Sequence, residues 1–206
     1  MLNEILVGLV CINMSEKKKS PDELLDEVAI NQVEREALDR VFGTFVSKSE
    51  IPHEVGTCER FGWQEVFQIL KELGSPMSKQ DVQLMIWEVD EDLDTYVSKE
   101  EFEVMYKRCV SEKTGLEPRK LFNLVQFMMF DKGNLKSITV EDTLELIFVR
   151  YGMETLEKEI QALFGTDEKQ PDGTEKRITF AQYLEQINAK NIQKRKKKAT
   201  RGKVGK

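Results

Sequence analysis

The sequence predicts an all-α protein with two lobes, each built from two helix–loop–helix units, and a basic C-terminal tail. Three observations support this prediction. Apolar residues recur at spacings of three and four along eight segments, as on the buried face of a helix. The order helix, loop, helix, link, helix, loop, helix occurs twice, which indicates an internal duplication. Between the two series, "SEKTGLEP" contains the helix breakers Gly115 and Pro118.

Composition narrows the class of protein. The chain has 206 residues, of which 40% are hydrophobic and 33% charged, as in a soluble folded protein long enough for two small lobes. Cys11, Cys58 and Cys109 are an odd number without zinc-type spacing, so we expect neither a zinc site nor a disulfide framework, and a reducing compartment. His53 is the only histidine and has no nucleophile paired with it, and the sequence has no glycine-rich phosphate loop. We therefore expect no enzyme.

Residues 1–29 form an N-terminal extension. The apolar stretch Ile5–Ile12 is too short to span a bilayer, and it follows Asn3 and Glu4 where a signal peptide carries positive charge. We therefore expect no transmembrane segment. Two interpretations stay open: translation starts at Met14 and the preceding residues are an upstream extension, or the segment docks on a partner.

The first lobe is expected over residues 30–112. Its four helices are predicted in "INQVEREALDRVFGTF", "GWQEVFQILKELG", "SPMSKQDVQLMIWEVD" and "SKEEFEVMYKRCV". Gly74 supplies the left-handed stop after the second helix. Ser78 is expected to cap the third helix, with Asp81 three residues further on, close to a capping box.

The second lobe is expected over residues 113–189. Its helices are predicted in "PRKLFNLVQFMMF", "VEDTLELIFVRYG", "METLEKEIQALFG" and "FAQYLEQINAK". Pro118 is placed at the first position of the first of these helices, where proline is tolerated. Gly152 is expected to end the second helix as Gly74 does in the first lobe.

An acidic loop, "VDEDLDTYVSKEEF", lies between the third and fourth helices and has the phase of a calcium-binding loop. A hard cation takes six to eight oxygen ligands, so the loop must wrap around the ion while a final glutamate closes the far side. The expected ligands at positions one, three, five, seven, nine and twelve are Asp90, Asp92, Asp94, the carbonyl of Tyr96, Ser98 and Glu101. At position eight, Val97 is expected to pair with the neighbouring loop.

Position six of the acidic loop departs from this pattern. The chain turns there with positive φ, which favours glycine, and this sequence has the β-branched Thr95. The strain is about 1–2 kcal/mol, which lowers affinity roughly tenfold or more. Two interpretations stay open: one site that binds calcium at physiological levels, or a loop that keeps the fold and rarely fills.

The stretch from Phe61 to Phe102, with "LGSPMS", "MIWEVDED" and "VSKEEF", resembles the first lobe of the calmodulin and troponin C family of EF-hand proteins. The two-lobed plan extends this resemblance over residues 30–189. The resemblance implies four hands, of which this chain keeps one complete ligand set. Each lobe still needs two hands, because one alone cannot bury its apolar face.

The resemblance allows the other three loops to be compared by position. In the first, Glu65 occupies the closing position, but "VSKSEIPHEVGTCERFG" is overlong and lacks acids at the first positions. In the third, Asp131 and Asp142 are kept, whereas Gly133 and Leu135 stand where ligands belong, and its register is uncertain by one residue. We expect both loops to bind no calcium.

The fourth loop is also overlong. Gln182 stands at its closing position, and Asp167 and Asp172 do not restore a ligand set. We expect no calcium there. Ile138 and Ile178 occupy the pairing positions of the third and fourth loops, which indicates that these hands persist for structure.

The resemblance implies a binding protein whose lobes grip an amphipathic target helix. Six methionines suit such a surface, although helical spacing equally fits a core: Met77, Met85, Met105, Met128, Met129 and Met153. Trp87 is expected to be exposed and to contact a permanent partner. Two functions stay open: a structural adaptor subunit of a cytoskeletal assembly, and a calcium-responsive regulator.

The tail, residues 190–206, has nine Lys or Arg and no acid, whereas the first 189 residues carry 22 basic and 37 acidic side chains, a net charge of −15. Such a tail attracts polyanions. The candidates are the acidic surface of tubulin, nucleic-acid phosphates, an anionic membrane, a nuclear-import receptor, or solvent alone. The tail has no aromatic residues to stack on bases, which argues against specific nucleic-acid recognition. By analogy with degenerate family members, we expect a cytoplasmic, cytoskeletal protein of a cilium or flagellum, at an axonemal microtubule.

Overall fold

The computed structural model describes residues 29–48, 59–112, 117–165 and 174–201, with side chains described up to residue 192. These ranges contain eight helices and four two-residue strands, so the prediction of an all-α protein is confirmed. The elements are α1 (Gln32–Ser47), β1 (Arg60–Phe61), α2 (Trp63–Glu72), α3 (Lys79–Trp87), β2 (Val97–Ser98), α4 (Lys99–Ser111), α5 (Lys120–Phe130), β3 (Ser137–Ile138), α6 (Val140–Tyr151), α7 (Met153–Phe164), β4 (Ile178–Thr179) and α8 (Phe180–Arg201). Cys11, Met14, His53, Cys58, Gly115, Asp167 and Asp172 lie outside the described residues.

The helix ends follow from local chemistry. The Asn31 side chain caps α1 by accepting a hydrogen bond from the Val33 N–H at 3.0 Å. Ser78 caps α3 as predicted, because its Oγ accepts from the Asp81 N–H at 3.1 Å. Gly74 and Gly152 have φ of 70° and 72°, which confirms them as left-handed stops after α2 and α6.

One predicted helix start is wrong. Helix α5 begins at Lys120 with Arg119 as its N-cap, so Pro118 lies before the helix and not at its first position. The link is held against the end of α4 instead. The Cys109 thiol donates to the Pro118 carbonyl at 3.4 Å, and the Arg119 guanidinium donates to the Cys109 carbonyl at 2.9 Å.

Two short antiparallel strand pairs join the loops within each half of the molecule. Strand β1 pairs with β2, placing Phe61 opposite Val97, and β3 pairs with β4, placing Ile138 opposite Ile178. The expected pairing positions Val97, Ile138 and Ile178 are thereby confirmed. Each strand pair thus links the two helix–loop–helix units of its half.

The buried side chains form one continuous core and not two separate ones. In the first half, Phe45 stacks on Phe61 with ring centroids 4.4 Å apart. In the second half, Phe127 lies 5.2 Å from Phe180. The Tyr106 ring of α4 and the Phe122 ring of α5 are 5.7 Å apart and join the halves. Each such buried aromatic side chain contributes about 1.5–3 kcal/mol.

Polar contacts also connect the halves. Arg40 of α1 donates to the carbonyls of Met128 and Met129 at 3.1 and 2.9 Å, so it satisfies carbonyls at the end of α5. The Arg150 guanidinium of α6 donates to Glu34 Oε1 of α1 at 2.7 and 2.5 Å, and it also contacts the Tyr106 hydroxyl. The two predicted lobes therefore pack directly on each other, through α1, α4, α5 and α6.

Helix α8 continues across the expected start of the tail at Lys190 and runs to Arg201. The Lys190 ammonium contacts Glu159 of α7, so the first tail residue is tied to the folded body. Among the described residues, no helix has both the length and the apolar character needed to cross a membrane.

Candidate metal centre

The acidic loop between α3 and α4 is organised around Asp90, the most buried of its carboxylates. Asp90 Oδ1 accepts a hydrogen bond from the Asp94 N–H at 3.2 Å, and its Oδ2 accepts from the Thr95 N–H at 2.8 Å. The chain turns around this side chain with positive φ at Leu93 and Thr95, 62° and 72°. The expectation that Thr95 adopts positive φ is therefore confirmed.

Three carboxylates come together in this turn. One oxygen from each of Asp90, Asp92 and Asp94 lies within 4.8 Å of the others. Backbone N–H groups hold these side chains in place, because Asp92 Oδ1 accepts from the Asp94 N–H at 3.1 Å and Asp94 Oδ1 accepts from the Tyr96 N–H at 2.8 Å. The cluster thus results from the two-residue spacing of the acids.

Glu101, in the first turn of α4, bonds to both ends of the loop. Its Oε1 accepts from the N–H groups of Glu91 and Asp92 at 2.8 and 3.4 Å. Its Oε2 accepts from the N–H and the hydroxyl of Ser98, each at 2.8 Å. Burial alone would raise the pKa of Glu101, but these hydrogen bonds outweigh burial and hold the pKa below its usual value.

Tyr96 and Ser98 follow the turn where the loop joins the first unit. Ser98 pairs with Arg60 across the two strands. The Tyr96 ring packs so closely on Gly62 that a Cβ there would lie 3.1 Å from the ring. The Arg60 guanidinium covers the same ring, 4.7 Å from its centroid. Neighbouring groups therefore fix the chain at positions seven and nine of the loop.

The side chains of this loop fit a hard divalent cation. Three clustered aspartates and a glutamate that reaches both loop ends are oxygen donors, which calcium prefers over nitrogen or sulfur. Asp90, Asp92 and Asp94 could therefore hold calcium, and Glu101 could add carboxylate oxygens from the start of α4. The Tyr96 carbonyl and Ser98 stay predicted ligands from the sequence. Bound calcium would supply a charge that cross-links the loop.

The loop between α5 and α6 has the same backbone frame without the ligands. Asp131 accepts from the Leu135 and Lys136 N–H groups at 2.7 and 2.8 Å, as Asp90 does from the corresponding residues of the acidic loop. Asn134 and Lys136 have φ of 52° and 62°. Asp131 thus stands at position one and Asp142 at position twelve, which settles the one-residue uncertainty in register that the sequence left open. Gly133 and Leu135 stand where Asp92 and Asp94 supply carboxylates, and Leu135 is 61% exposed.

The closing residues of all four units share a second role that the sequence comparison missed. Each accepts a hydrogen bond from the backbone N–H three residues earlier, at the start of its helix. The four pairs are Gly62 to Glu65 at 2.7 Å, Ser98 to Glu101 at 2.8 Å, Thr139 to Asp142 at 2.8 Å and Thr179 to Gln182 at 2.9 Å. This is helix capping, which needs no ion. The pattern S/T-x-x-E/D/Q was its signal in three units, whereas the first unit has Gly62 in place of Ser or Thr.

The six methionines considered for a target-binding surface differ in their burial, and Trp87 is exposed. Met85, Met105 and Met129 are buried in the core. Met77 and Met128 are partly buried against it, whereas Met153 is 73% exposed. Trp87, at the end of α3 beside the acidic loop, is 64% exposed as expected.

Cys109, the one cysteine among the described residues, has a structural role. Cys109 is buried between α4 and the link to α5, and burial raises the pKa of its thiol to about 12. A thiol with such a pKa stays protonated at neutral pH, so it is a poor nucleophile.

A family model matches part of the chain. Residues 67–109, about a fifth of the chain, match the family model described as an EF-hand domain pair. The matched range runs from α2 through the acidic loop to α4, and it includes every proposed ligand. No curated protein matches the chain. EF-hand domains typically bind calcium and protein partners and are typically not enzymes, and the match supports an EF-hand family for this chain.

Proposed function

We propose that this protein is a calcium-binding EF-hand adaptor, a structural subunit of a larger assembly with one calcium site. The proposed ligands are Asp90, Asp92, Asp94, the Tyr96 carbonyl, Ser98 and Glu101. The main support for the proposal is the arrangement of carboxylates in the acidic loop. Three carboxylates lie within 4.8 Å of one another, and Glu101 bonds to both loop ends, all within the matched segment.

Calcium titration by calorimetry, with magnesium at cellular concentration, tests the site. We expect one site with a dissociation constant between about 10⁻⁷ and 10⁻⁵ M, as in sensor hands. Glu101→Gln is expected to abolish the binding heat, because the closing carboxylate loses its charge and one ligand oxygen.

A matched control is available in the next lobe. Asp142 closes the loop between α5 and α6 and accepts the same hydrogen bond from its helix start, 2.8 Å from the Thr139 nitrogen. Asp142→Asn is expected to leave the calcium titration unchanged. Equal binding in the wild type and Glu101→Gln would place the site elsewhere, and the absence of heat in the wild type would refute calcium binding.

The proposed structural role is supported by the absence of an open methionine-lined groove among the described residues. Met85, Met105 and Met129, which would line an open groove, are buried in the core. Glu34 and Arg150 join the first unit to the third through a buried ion pair. The exposed Trp87 is the proposed anchor for a permanent partner, because a large aromatic ring gains most from leaving water.

A calcium-responsive regulator is the second candidate, and one feature favours it. A groove of about 210 Å³ runs between the end of α4 and helices α5 to α8. Its lining includes Phe122, Phe130 and Tyr183, which are at most 3% exposed, so a target helix could contact these rings only after the groove opened. A dye that fluoresces on apolar surfaces distinguishes the two functions. A regulator increases dye binding when calcium is added, whereas a fixed subunit does not.

We also propose that the basic tail contacts a polyanionic protein surface such as tubulin, and that the protein belongs to the cytoskeleton of a cilium or flagellum. The support is its nine basic residues over residues 190–206 and a helix that continues from the folded body to Arg201. Such an attraction weakens as salt screens it.

Truncation tests the tail. A chain ending at Ala189 is expected to stay folded and to lose salt-sensitive cosedimentation with microtubules. A second chain, ending at Ile192, keeps the contact between Lys190 and Glu159 and therefore separates tail charge from helix packing. Unaltered cosedimentation of both truncated chains at low salt would refute this role of the tail.

A further inference from the structure

An arginine of the first unit contacts a proposed calcium ligand of the second. Arg60, in strand β1, lies opposite Ser98 of β2. Its Nη1 is 2.6 Å from Asp94 Oδ2, and its guanidinium lies over the Tyr96 ring at 4.7 Å. The strand pairing, the aromatic ring and the carboxylate together fix where this charge sits.

Both oxygens of Asp94 are engaged by protein groups. Oδ1 accepts from the Tyr96 N–H at 2.8 Å, and Oδ2 accepts from Arg60. Asp94 is the one carboxylate of the cluster for which the described residues provide an ion pair, since Asp90 and Asp92 accept from backbone N–H groups alone. A cation bound by Asp94 therefore meets a fixed positive charge on the same carboxylate.

We propose that Arg60 is an internal counter-cation of the acidic loop, which lowers the loop's calcium affinity and ties the first unit to the calcium site. This inference rests on the proposed calcium function. The guanidinium offsets part of the charge that attracts calcium and repels the ion directly. Because the side chains of Arg60 and Asp94 are 39% and 34% exposed, water and salt weaken the effect without removing it.

Arg108 provides a matched control. Its Nη1 lies 3.4 Å from Glu91 in the same loop, and its side chain is 36% exposed, close to the 39% of Arg60. Glu91 stands at position two, which supplies no side-chain ligand. Arg60→Gln and Arg108→Gln each remove one positive charge beside the loop, but only Arg60→Gln frees an oxygen of a proposed ligand.

Calcium titrations of the two variants test the proposal. Arg60→Gln is expected to bind calcium about two- to fivefold more tightly than Arg108→Gln at low ionic strength, as for a partly exposed charge pair. The difference should shrink at 0.5 M salt, because added ions weaken the attraction between partly exposed charges. A competing chelator of known affinity allows both constants to be measured in one series.

A second readout needs no calcium. In chelator, a double-mutant cycle of Arg60→Gln and Asp94→Asn on the urea unfolding equilibrium should show a favourable coupling of about two- to fivefold in the unfolding constant. Circular dichroism establishes that each variant is folded before it is titrated.

The outcomes separate this inference from the proposed function. Equal affinities in the two variants, or weaker binding by Arg60→Gln, overturn the role of Arg60 while calcium binding stands. If the wild type binds no calcium, the proposed function fails and the effect of Arg60 on affinity fails with it, and the double-mutant cycle then reports only the ion pair.

Discussion

At the scale of single residues, Thr95 shows how a ligand pattern and a backbone requirement can conflict in one loop. The spacing of the acids places it at the position that favours glycine, and the structure gives it a φ of 72°. Its N–H bonds to Asp90 at 2.8 Å, so the turn is kept in spite of the β-branched side chain. The strain of such a conformation is about 1–2 kcal/mol.

Thr95→Gly is expected to raise calcium affinity by up to about tenfold, because it removes this strain from the loop. Calorimetric titration of the variant and the wild type under the same magnesium background measures the change. Urea unfolding in chelator is measured in parallel, because strain that is equal in the free and bound loop affects folding and not binding.

Lys136→Gly is the control, since Lys136 occupies the same position in the next lobe with φ of 62°. That loop lacks clustered carboxylates, so the variant should change stability without changing calcium binding. If Thr95→Gly gains stability and no affinity, the expectation of weak binding caused by Thr95 is wrong.

Local spacing predicted the acidic loop, whereas the contact of Arg60 was not predictable. The acids lie two residues apart, and each of Asp92 and Asp94 accepts a hydrogen bond from the N–H group two residues further on. The spacing therefore determines the turn locally, without contacts from other elements. Arg60 and Asp94 are 34 residues apart. The segment between α1 and Arg60 is also longer than the segment between α3 and β2, so the two units cannot be aligned by simple spacing. Their contact depends on the register of β1 with β2, which sequence spacing alone does not give.

At the scale of elements, the helix ends are set by capping groups that the sequence showed only in part. Gly74, Ser78 and Gly152 were predicted from residue type and confirmed. Pro118 was placed wrongly, because its carbonyl accepts from the Cys109 thiol and the chain becomes helical only after Arg119. Tertiary contacts thus decided the start of α5 over local preference.

Asp142→Ala is expected to destabilise the protein by about 1 kcal/mol, as for loss of a helix cap. Asp142 Oδ2 accepts from the Thr139 N–H and hydroxyl at 2.8 and 2.9 Å, and both donors would lose their partner. Urea unfolding monitored by circular dichroism measures the change.

Glu141→Ala is the control, since Glu141 lies in the same first turn of α6 and is exposed. It should change stability by much less than Asp142→Ala. Equal effects of the two substitutions would mean that helix-dipole charge, and not the cap, accounts for the loss.

At the scale of the whole molecule, the duplication that the sequence predicts is present, but the halves are not independent. The periodicity of apolar residues predicted which face of each helix is buried, but not which helices pack against one another. Helix α1 packs on α5 and α6 of the other half, and the Tyr106 and Phe122 rings continue the core between them. The buried pair of Glu34 and Arg150 completes this interface.

Arg150→Met is expected to destabilise the protein by about 3–5 kcal/mol, because it leaves the Glu34 carboxylate buried without its cation. Lys132→Met is the matched control. Lys132 pairs with Glu145 at 2.7 Å in the same half, but both side chains are more than half exposed, so its loss should cost no more than about 1 kcal/mol.

Because one core serves both halves, the wild type should unfold in a single transition, with circular dichroism and calorimetry giving the same midpoint. Two separate transitions in the wild type would show that the halves fold as autonomous lobes and that the Glu34–Arg150 contact adds little to their stability.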